Sequence, residues 1–334
     1  MSENERMYKS LRNLNTEAVM AAITFFVLSF IPIFTDGYAT YILPQYMTFG
    51  LLAMSLAILW GYTGILSFGQ AGFFAIGGYV VGIMLANNSL FGGLFLTFMF
   101  AVAIACLIAA ILGYFFFSAG VRDAYFVIVT LAFSIVIEQL SVSHSQLTGG
   151  WNGLFVTRPT IDLGFTTFEL FDDVLIYYLF LAFMITVYIF LYAFSRSSIG
   201  KVLIGIGENE PRINSLGIKS NIYKTIVFAI SGGIASFAGG LYALHSGFVS
   251  PSLGGVLFST EVVVWVAIAG RKSLIGALLG GIIVSYLSNF LSALTPAYWQ
   301  LFIGLIFIAT IAFFRGGVVG AVENLIEKQW RFRV

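Results

Sequence analysis

The chain has 334 residues, of which 59% are hydrophobic and 9% charged, with a formal net charge of +1. An ordinary soluble domain is roughly one quarter charged, so there is no material here for the charged shell that a water-soluble protein of this length needs, and lipid has to cover most of the surface. The near-neutral balance leaves no electrostatic basis for binding nucleic acid, and the single cysteine, Cys106, lies in an apolar run and can form no internal disulfide.

Residues 1–17 are polar and carry Arg6, Lys9 and Arg12, and an apolar stretch opens at Val19. No small-residue cleavage site is evident near Ile33–Gly37, so this stretch reads as a retained first membrane segment rather than a removed leader. Ten apolar segments then follow in order, at 18–35, 41–60, 65–86, 91–117, 124–142, 174–194, 225–245, 259–270, 274–294 and 298–314. A helix needs about 20 residues to cross the hydrocarbon core, and most of these qualify. The eighth is short and the third is rich in glycine, which marks both as broken, tilted or only partly inserted. The expected class is an all-α polytopic helix bundle of about ten transmembrane segments (between roughly eight and ten).

Loop charge bears on the count independently. With ten spans and an inner N-terminus, the inner regions are 1–17, 61–64, 118–123, 195–224, 271–273 and 315–334, and they hold fifteen of the sixteen Lys and Arg residues, Arg158 being the exception. The outer loop 143–173 carries Asp162, Glu169, Asp172 and Asp173. This is the asymmetry of the positive-inside rule, and an odd number of spans would spoil it. The expected organisation is thus a cytoplasmic segment 1–17, a membrane domain 18–314 with an outer (periplasmic) loop 143–173 and an inner loop 195–224, and a cytoplasmic tail 315–334.

The outer loop contains His144-Ser-Gln-Leu-Thr-Gly-Gly-Trp-Asn-Gly153, a turn-rich connection. In the inner loop, 207–217 reads as a short polar helix with Pro211 in its first turn and Gly217 closing it. Glu208, Glu210 and Arg212 supply its charges, and Ile213 and Leu216 a small apolar face. Within the spans, Gly232, Ser236 and Gly240 repeat at four, as do Gly276 and Gly280, and both patterns suit close helix packing in lipid. Gly69 and Gly72 differ because they flank Gln70 and follow Ser67; polar groups beside flexible backbone in mid-membrane mark a solute path as readily as a packing contact. Ser67, Gly69, Gln70 and, on the fifth segment, Thr130 are the candidate pathway residues.

No Walker A motif is present: Gly270-Arg-Lys-Ser lacks the spaced upstream glycine and the Gly-Lys order. His144 and His245 stand alone, without an HExxH or Cys/His cluster, so no metal site is expected. No Gly-x-Ser-x-Gly elbow occurs either. The expectation is a transport subunit, not an enzyme, that binds no cofactor itself. Intramembrane carboxylates are few, with Glu138 in the fifth segment and Glu261 opening the eighth, which argues for an external energy source over a stand-alone secondary transporter.

Four stretches resemble the permease family of bacterial uptake systems for branched-chain amino acids, urea and short amides. They are Trp60–Tyr79 with Ser67-Phe-Gly-Gln-Ala-Gly72; Arg122–Phe133 followed by Thr148-Gly-Gly-Trp-Asn-Gly153; Ile199–Gly217; and Phe228 onward through Ser231-Gly-Gly, Ala238–Ala243 and Ser250-Pro251 to Arg315-Gly-Gly. The chain is most similar to the second, amino-terminally extended of the family's two permease types. The resemblance implies an ABC-type importer in an inner membrane, with a second related permease, two cytoplasmic ATP-binding subunits that use the ATP, and a periplasmic solute-binding protein as partners. It also implies that Glu208, Glu210, Arg212 and Gly217 belong to a coupling helix seated on an ATPase subunit. Phe68-Gly-Gln-Ala is closer to the amino-acid branch, whereas Val264–Leu274 and Pro296-Ala-Tyr-Trp-Gln look like the urea branch. Branched-chain amino acids are the first expectation and urea or a short amide the alternative.

Overall fold

Hydrocarbon offers no hydrogen bonds, so a segment that enters it must satisfy its own backbone, and helix is the form that does so within one segment. The computed structural model describes residues 3–35, 37–86, 93–121, 123–157, 160–162, 167–169, 172–313 and 317. Twelve α-helices occur among the described residues: α1 (Glu3–Phe34), α2 (Gly37–Thr63), α3 (Gln70–Ala86), α4 (Leu94–Ser118), α5 (Asp123–Ser143), α6 (Ser145–Thr148), α7 (Asp173–Arg196), α8 (Ser198–Ser215), α9 (Ser220–Ser246), α10 (Val256–Ala269), α11 (Leu274–Leu294) and α12 (Trp299–Phe313). Each of the ten apolar segments coincides with one of them; α6 is a single turn in the loop 143–173 and α8 lies in the loop 195–224, the loops expected on the outer and inner side. By length and composition α1, α2, α4, α5, α7, α9 and α11 could each cross a membrane, while α3, α10 and α12 are shorter apolar helices.

Burial sorts the helices into an inner and an outer set. Most of α2 and α9 is buried inside the protein, whereas about one fifth of the apolar parts of α1, α4 and α5 is, the rest being partly or fully exposed. The outer helices show their inward faces through small residues. On α4, Ala101, Ala105, Ala109 and Gly113 are buried at a spacing of four, while Phe95, Met99, Leu107, Ile111 and Tyr114 point outward. That stripe lies on α9, where the Ala109 methyl abuts Gly232 and the Cys106 sulfur abuts Gly233.

The tightest approach is between α3 and α9. A side chain at Gly77 would strike the backbone of Ser236, and one at Gly239 would strike the backbone of Phe74, so the two helices touch main chain to main chain at reciprocal positions. Between α2 and α11, Gly281 meets the backbone of Phe49 and Gly50 in the same manner, and Gly280 meets Trp265 of α10. In lipid, helix association rests on such dispersion contacts and on hydrogen bonds rather than on a hydrophobic drive. The Gly232–Ser236–Gly240 repeat of the sequence is indeed at an interface, shared between α3 and α4, and Ser236 donates to the Ala101 carbonyl of α4 at 3.1 Å.

Both long loops carry structure. In the outer one, β1 (Leu154–Phe155) pairs antiparallel with β4 (Phe248–Val249), which follows α9, and β2 (Thr160–Asp162) pairs with β3 (Thr167–Glu169). Asp172 caps α7, its carboxylate accepting from the Val174 N–H at 3.0 Å. The inner loop is more helical than its sequence suggests: α8 starts at Ser198, capped by the Ser197 hydroxyl, because Gly200, Leu203 and Ile206 form an inward-facing stripe at three-residue spacing. The helix kinks at Asn209, whose backbone leaves the helical region. Beyond the kink the Asn209 side chain accepts from the Arg212 N–H at 3.1 Å and starts a second helical leg with Pro211 in its first turn. Gly217, at φ +82°, closes that leg as its position suggests. Helix α1 is continuous from Glu3, through the expected boundary at residue 17. The C-terminal tail 315–334 lies outside the described residues except for Gly317.

These contacts make a size-sensitive prediction. Gly239→Val places a branched side chain into the Phe74 backbone and should lower stability by about 3 kcal/mol or more, at or beyond the usual range for overpacking. Gly304→Val, where nothing lies within 4 Å, should leave it unchanged. Thermal melting of the two variants in detergent, beside the parent protein, is the measurement.

Candidate functional site

Between α2 and α3 the chain stops being helical while still inside the protein. Helix α2 ends at Thr63, Gly64 turns the chain with φ +76°, and α3 starts only at Gln70. Unpaired backbone groups buried here would each cost several kcal/mol in an apolar surround. The partners come from α5. Thr130 Oγ1 accepts from the Phe68 N–H at 3.1 Å; one turn on, Ser134 Oγ donates to the Phe68 carbonyl at 2.9 Å and accepts from the Gly72 N–H at 3.1 Å. Ser67 Oγ accepts from the Gly69 N–H at 3.1 Å. Gly72 has no room for a side chain, because the Phe133 ring and the Ser134 hydroxyl sit against it.

Gln70 then ties this break to the two central helices. Its Nε2 donates to Ser231 Oγ of α9 at 2.9 Å, and its Oε1 accepts from Ser55 Oγ of α2 at 3.3 Å. The triangle closes where Ser231 Oγ donates to the Ser55 carbonyl. Ser67, Gly69, Gln70 and Thr130 are therefore brought together at one place, all of them buried, and each polar side chain among them has a protein partner. Ser55, Ser134 and Ser231 belong to the same network and were not singled out from the sequence. Ser134 could have been, since it follows Thr130 by four residues and so shares its helix face.

A cavity of about 350 Å³ lies beside the break, walled by Gly64–Leu66, by Phe126 and Val127 of α5, by Ile206 and Glu210 of α8, and by Lys224 of α9. None of the four candidate pathway residues lines it. Of the inner-loop residues, Glu208 and Arg212 are exposed and Leu216 is 70% exposed. Ile213 folds back over Gly205 of the preceding leg. Glu210 turns inward: Oε1 accepts from Lys224 Nζ at 2.5 Å and from Ser220 Oγ at 2.7 Å.

The remaining carboxylates sit at helix starts or within a helix. Glu17 of α1 accepts from the Leu274 N–H at 2.8 Å and from Ser273 Oγ at 3.4 Å, placing its charge at the positive end of α11. Glu138 lies against Gly255, just before α10, and Glu261 is half-buried within α10. His144 sits exposed beside Ser143 and the Leu140 carbonyl, and His245 is buried between the rings of Tyr41 and Phe180. Among the described residues, no three His, Cys, Asp or Glu side chains gather where they could hold a metal ion.

Residues 38–311 match the family model for the permease component of branched-chain amino acid transport systems. Over 260 residues the chain is 30% identical to the high-affinity branched-chain amino acid transport system permease protein LivM of Escherichia coli K12 and 28% identical to that of Salmonella typhimurium. Each alignment takes in 71% of this chain but 60% of the relative, so the chain spans about three fifths of the length of these relatives. A weaker similarity, 25% over 152 residues, reaches the autoinducer 2 import system permease protein LsrC of Photorhabdus laumondii, covering 44% of this chain and 46% of that one. No solved structure matches.

The hydrogen bonds at the break predict an order of effects. Ser134→Ala removes the hydroxyl that serves both the Phe68 carbonyl and the Gly72 N–H, and stranding buried backbone groups should cost about 1–3 kcal/mol. Gln70→Leu leaves Ser55 bonded to the Leu52 carbonyl at 2.7 Å and Ser231 bonded to the Ser55 carbonyl, so its cost should be about 1 kcal/mol or less. Unfolding of the purified variants in mixed detergent micelles should rank Ser134→Ala as the less stable.

Proposed function

The chain belongs to the family of branched-chain amino acid transport permease components, multi-pass inner-membrane proteins of ABC-type importers, and from that premise we propose that it passes branched-chain amino acids across the bilayer as one permease of such an importer. The observation that carries the reading is the family match over residues 38–311, joined by 30% identity to a relative whose name states this transport. The LsrC similarity marks the solute as variable among related permeases, so substrate is the first thing to test. ATP is hydrolysed, in this reading, by two cytoplasmic subunits, and a second related permease and a periplasmic solute-binding protein complete the assembly. In this reading the chain itself supplies the passage and the catalysis lies in its partners.

We place both termini in the cytoplasm and count about ten crossings, on the fifteen-to-one distribution of basic residues. The three shorter helices fit such a count when extended segments complete the crossing: α3, with 17 residues, rises about 26 Å, and the non-helical stretch before it supplies the rest within protein. Ser67, Gly69, Gln70 and Thr130 are proposed to stand along the solute route, as the hydrogen-bonded rim of the break. The kinked end of α8, with Glu208 before Asn209 and Arg212 after it both exposed and Gly217 closing it, is proposed as the seat of an ATPase subunit.

Two measurements test this. Proteoliposomes holding the complex assembled from this chain and its partner subunits should accumulate labelled leucine in the presence of ATP, and a hundredfold excess of urea should leave uptake unchanged. Competition by urea, or uptake of urea in place of leucine, would transfer the assignment to the amide branch. Topology is read with single cysteines in a Cys106→Ser background. Trp151→Cys, at a position 74% exposed in the outer loop, should react with an impermeant maleimide on intact cells or spheroplasts. Leu216→Cys should react only in inverted vesicles, and at least fivefold more slowly when the ATPase subunits are bound.

A further inference from the structure

The cavity beside the helix break holds a charge pair beside a cluster of apolar side chains. Lys224 is 6% exposed, its ammonium 2.5 Å from Glu210 Oε1 and 5.6 Å from the centre of the Phe117 ring. Phe126, Val127 and Ile206 form the apolar side. Taking two charges out of water costs several kcal/mol per ion, and their mutual attraction often does no more than offset this. A clamp between α8 and α9 does not require them, because the Asn214 side chain already accepts from the Ser220 N–H at 3.2 Å and ties the same two elements. A topology signal does not require them either: a lysine in the inner loop serves that end without a buried carboxylate beside it.

We propose that this cavity is a solute site of the permease, on the α8 side of the break, built for the zwitterion of an aliphatic α-amino acid. The Glu210 carboxylate receives the solute ammonium, the Lys224 ammonium receives the solute carboxylate, and Phe126, Val127 and Ile206 receive the aliphatic side chain. The solute inserts into the ion pair and replaces each charge's partner by one of the same sign, so neither charge is left buried without a counter-charge. A volume of about 350 Å³ is within the range of small-molecule sites, roughly 300–1,000 Å³. Uncharged urea offers nothing to exchange with the pair. The inference rests on the reading of this chain as a branched-chain amino acid permease and adds to it a site on the permease itself.

Val127 is partly exposed to the cavity, and valine to cysteine is a mild change, so it serves as the reporter. The complex with its ATPase subunits and companion permease, carrying Cys106→Ser and Val127→Cys in this chain, is placed in nanodiscs without the solute-binding protein. It is reacted with a maleimide, and labelling is read on this chain's band. Leucine should slow labelling at least fivefold and saturably, whereas urea should not. Lys224→Met and, separately, Glu210→Gln should each abolish the protection while leaving the rate without leucine within twofold. If leucine fails to protect in a complex that imports leucine, the site is refuted and the proposed transport stands. If the complex imports another solute and not leucine, both fall together. If protection persists in both charge variants, the ion pair is not the recognition element and the proposal is overturned.

Discussion

The arrangement of this protein follows from one buried stretch of backbone that is not helical. Residues 64–69 leave the helical path, starting at the exposed Gly64 and sinking to Ser67 and Gly69, which are buried, so the N–H and C=O groups at that inner end need partners from the protein. The hydroxyls of Thr130 and Ser134 supply those pairings, and they can do so only if α5 runs alongside with that face turned inward. The rotation of α5 is thereby set, and its opposite face, with Tyr125, Ile128 and Val136, is left exposed. The amide of Gln70 carries the same requirement on to α2 and α9. A polar network in a low-dielectric interior is stable only when its members are satisfied, and the bonds at this break link four helices in that way.

Starting α3 at Gln70 has a second consequence. The 17 residues of α3 pack Phe73 and Phe74 against Phe228 and Tyr242 of α9, and the backbones come together between them at Gly77 and Gly239. Dispersion falls off steeply with distance, so removing two Cβ atoms gains more from the surrounding contacts than it loses. The same device recurs between α2 and α11 and between α10 and α11, around the other buried helix of the centre.

Much of this was legible in the sequence, for physical reasons that differ by element. The ten apolar segments each became a helix because apolar length is a local property. The polar helix ending at Gly217 was legible because a cap needs only its neighbours, and an irregularity in the third segment because glycines and polar side chains are out of place in an apolar run; that α3 starts only at Gln70 was not. What stayed hidden depends on partners distant in the chain. Ser231 meets Gln70 across 161 positions and Glu17 meets Leu274 across 257; no local pattern announces either pairing. The first leg of α8 was missed because its inward stripe is short and rich in glycine, and glycine lowers helix propensity. The inward turn of Glu210 was missed because a charge in a polar loop reads as solvated until its neighbour is known.

That inward turn changes what α8 can do. Gly207, at the end of its first leg, sits against the backbone of Tyr62 and Thr63, the last residues of α2 before the break. Its second leg is held to the first turns of α9 by Glu210, with Lys224 and Ser220, and by Asn214. The kink at Asn209 stands between the two attachments. In the proposed coupling, a displacement of α8 would be passed to the end of α2 on one side and to the start of α9 on the other. Those two helices are the ones that Ser55, Gln70 and Ser231 join at the break. The cavity is lined by residues of both attachments, Gly207 with Thr63 on one side and Glu210 with Lys224 on the other, and by Gly64–Leu66 at the start of the break, so the proposed seat, the space beside it and the break are neighbours in direct contact.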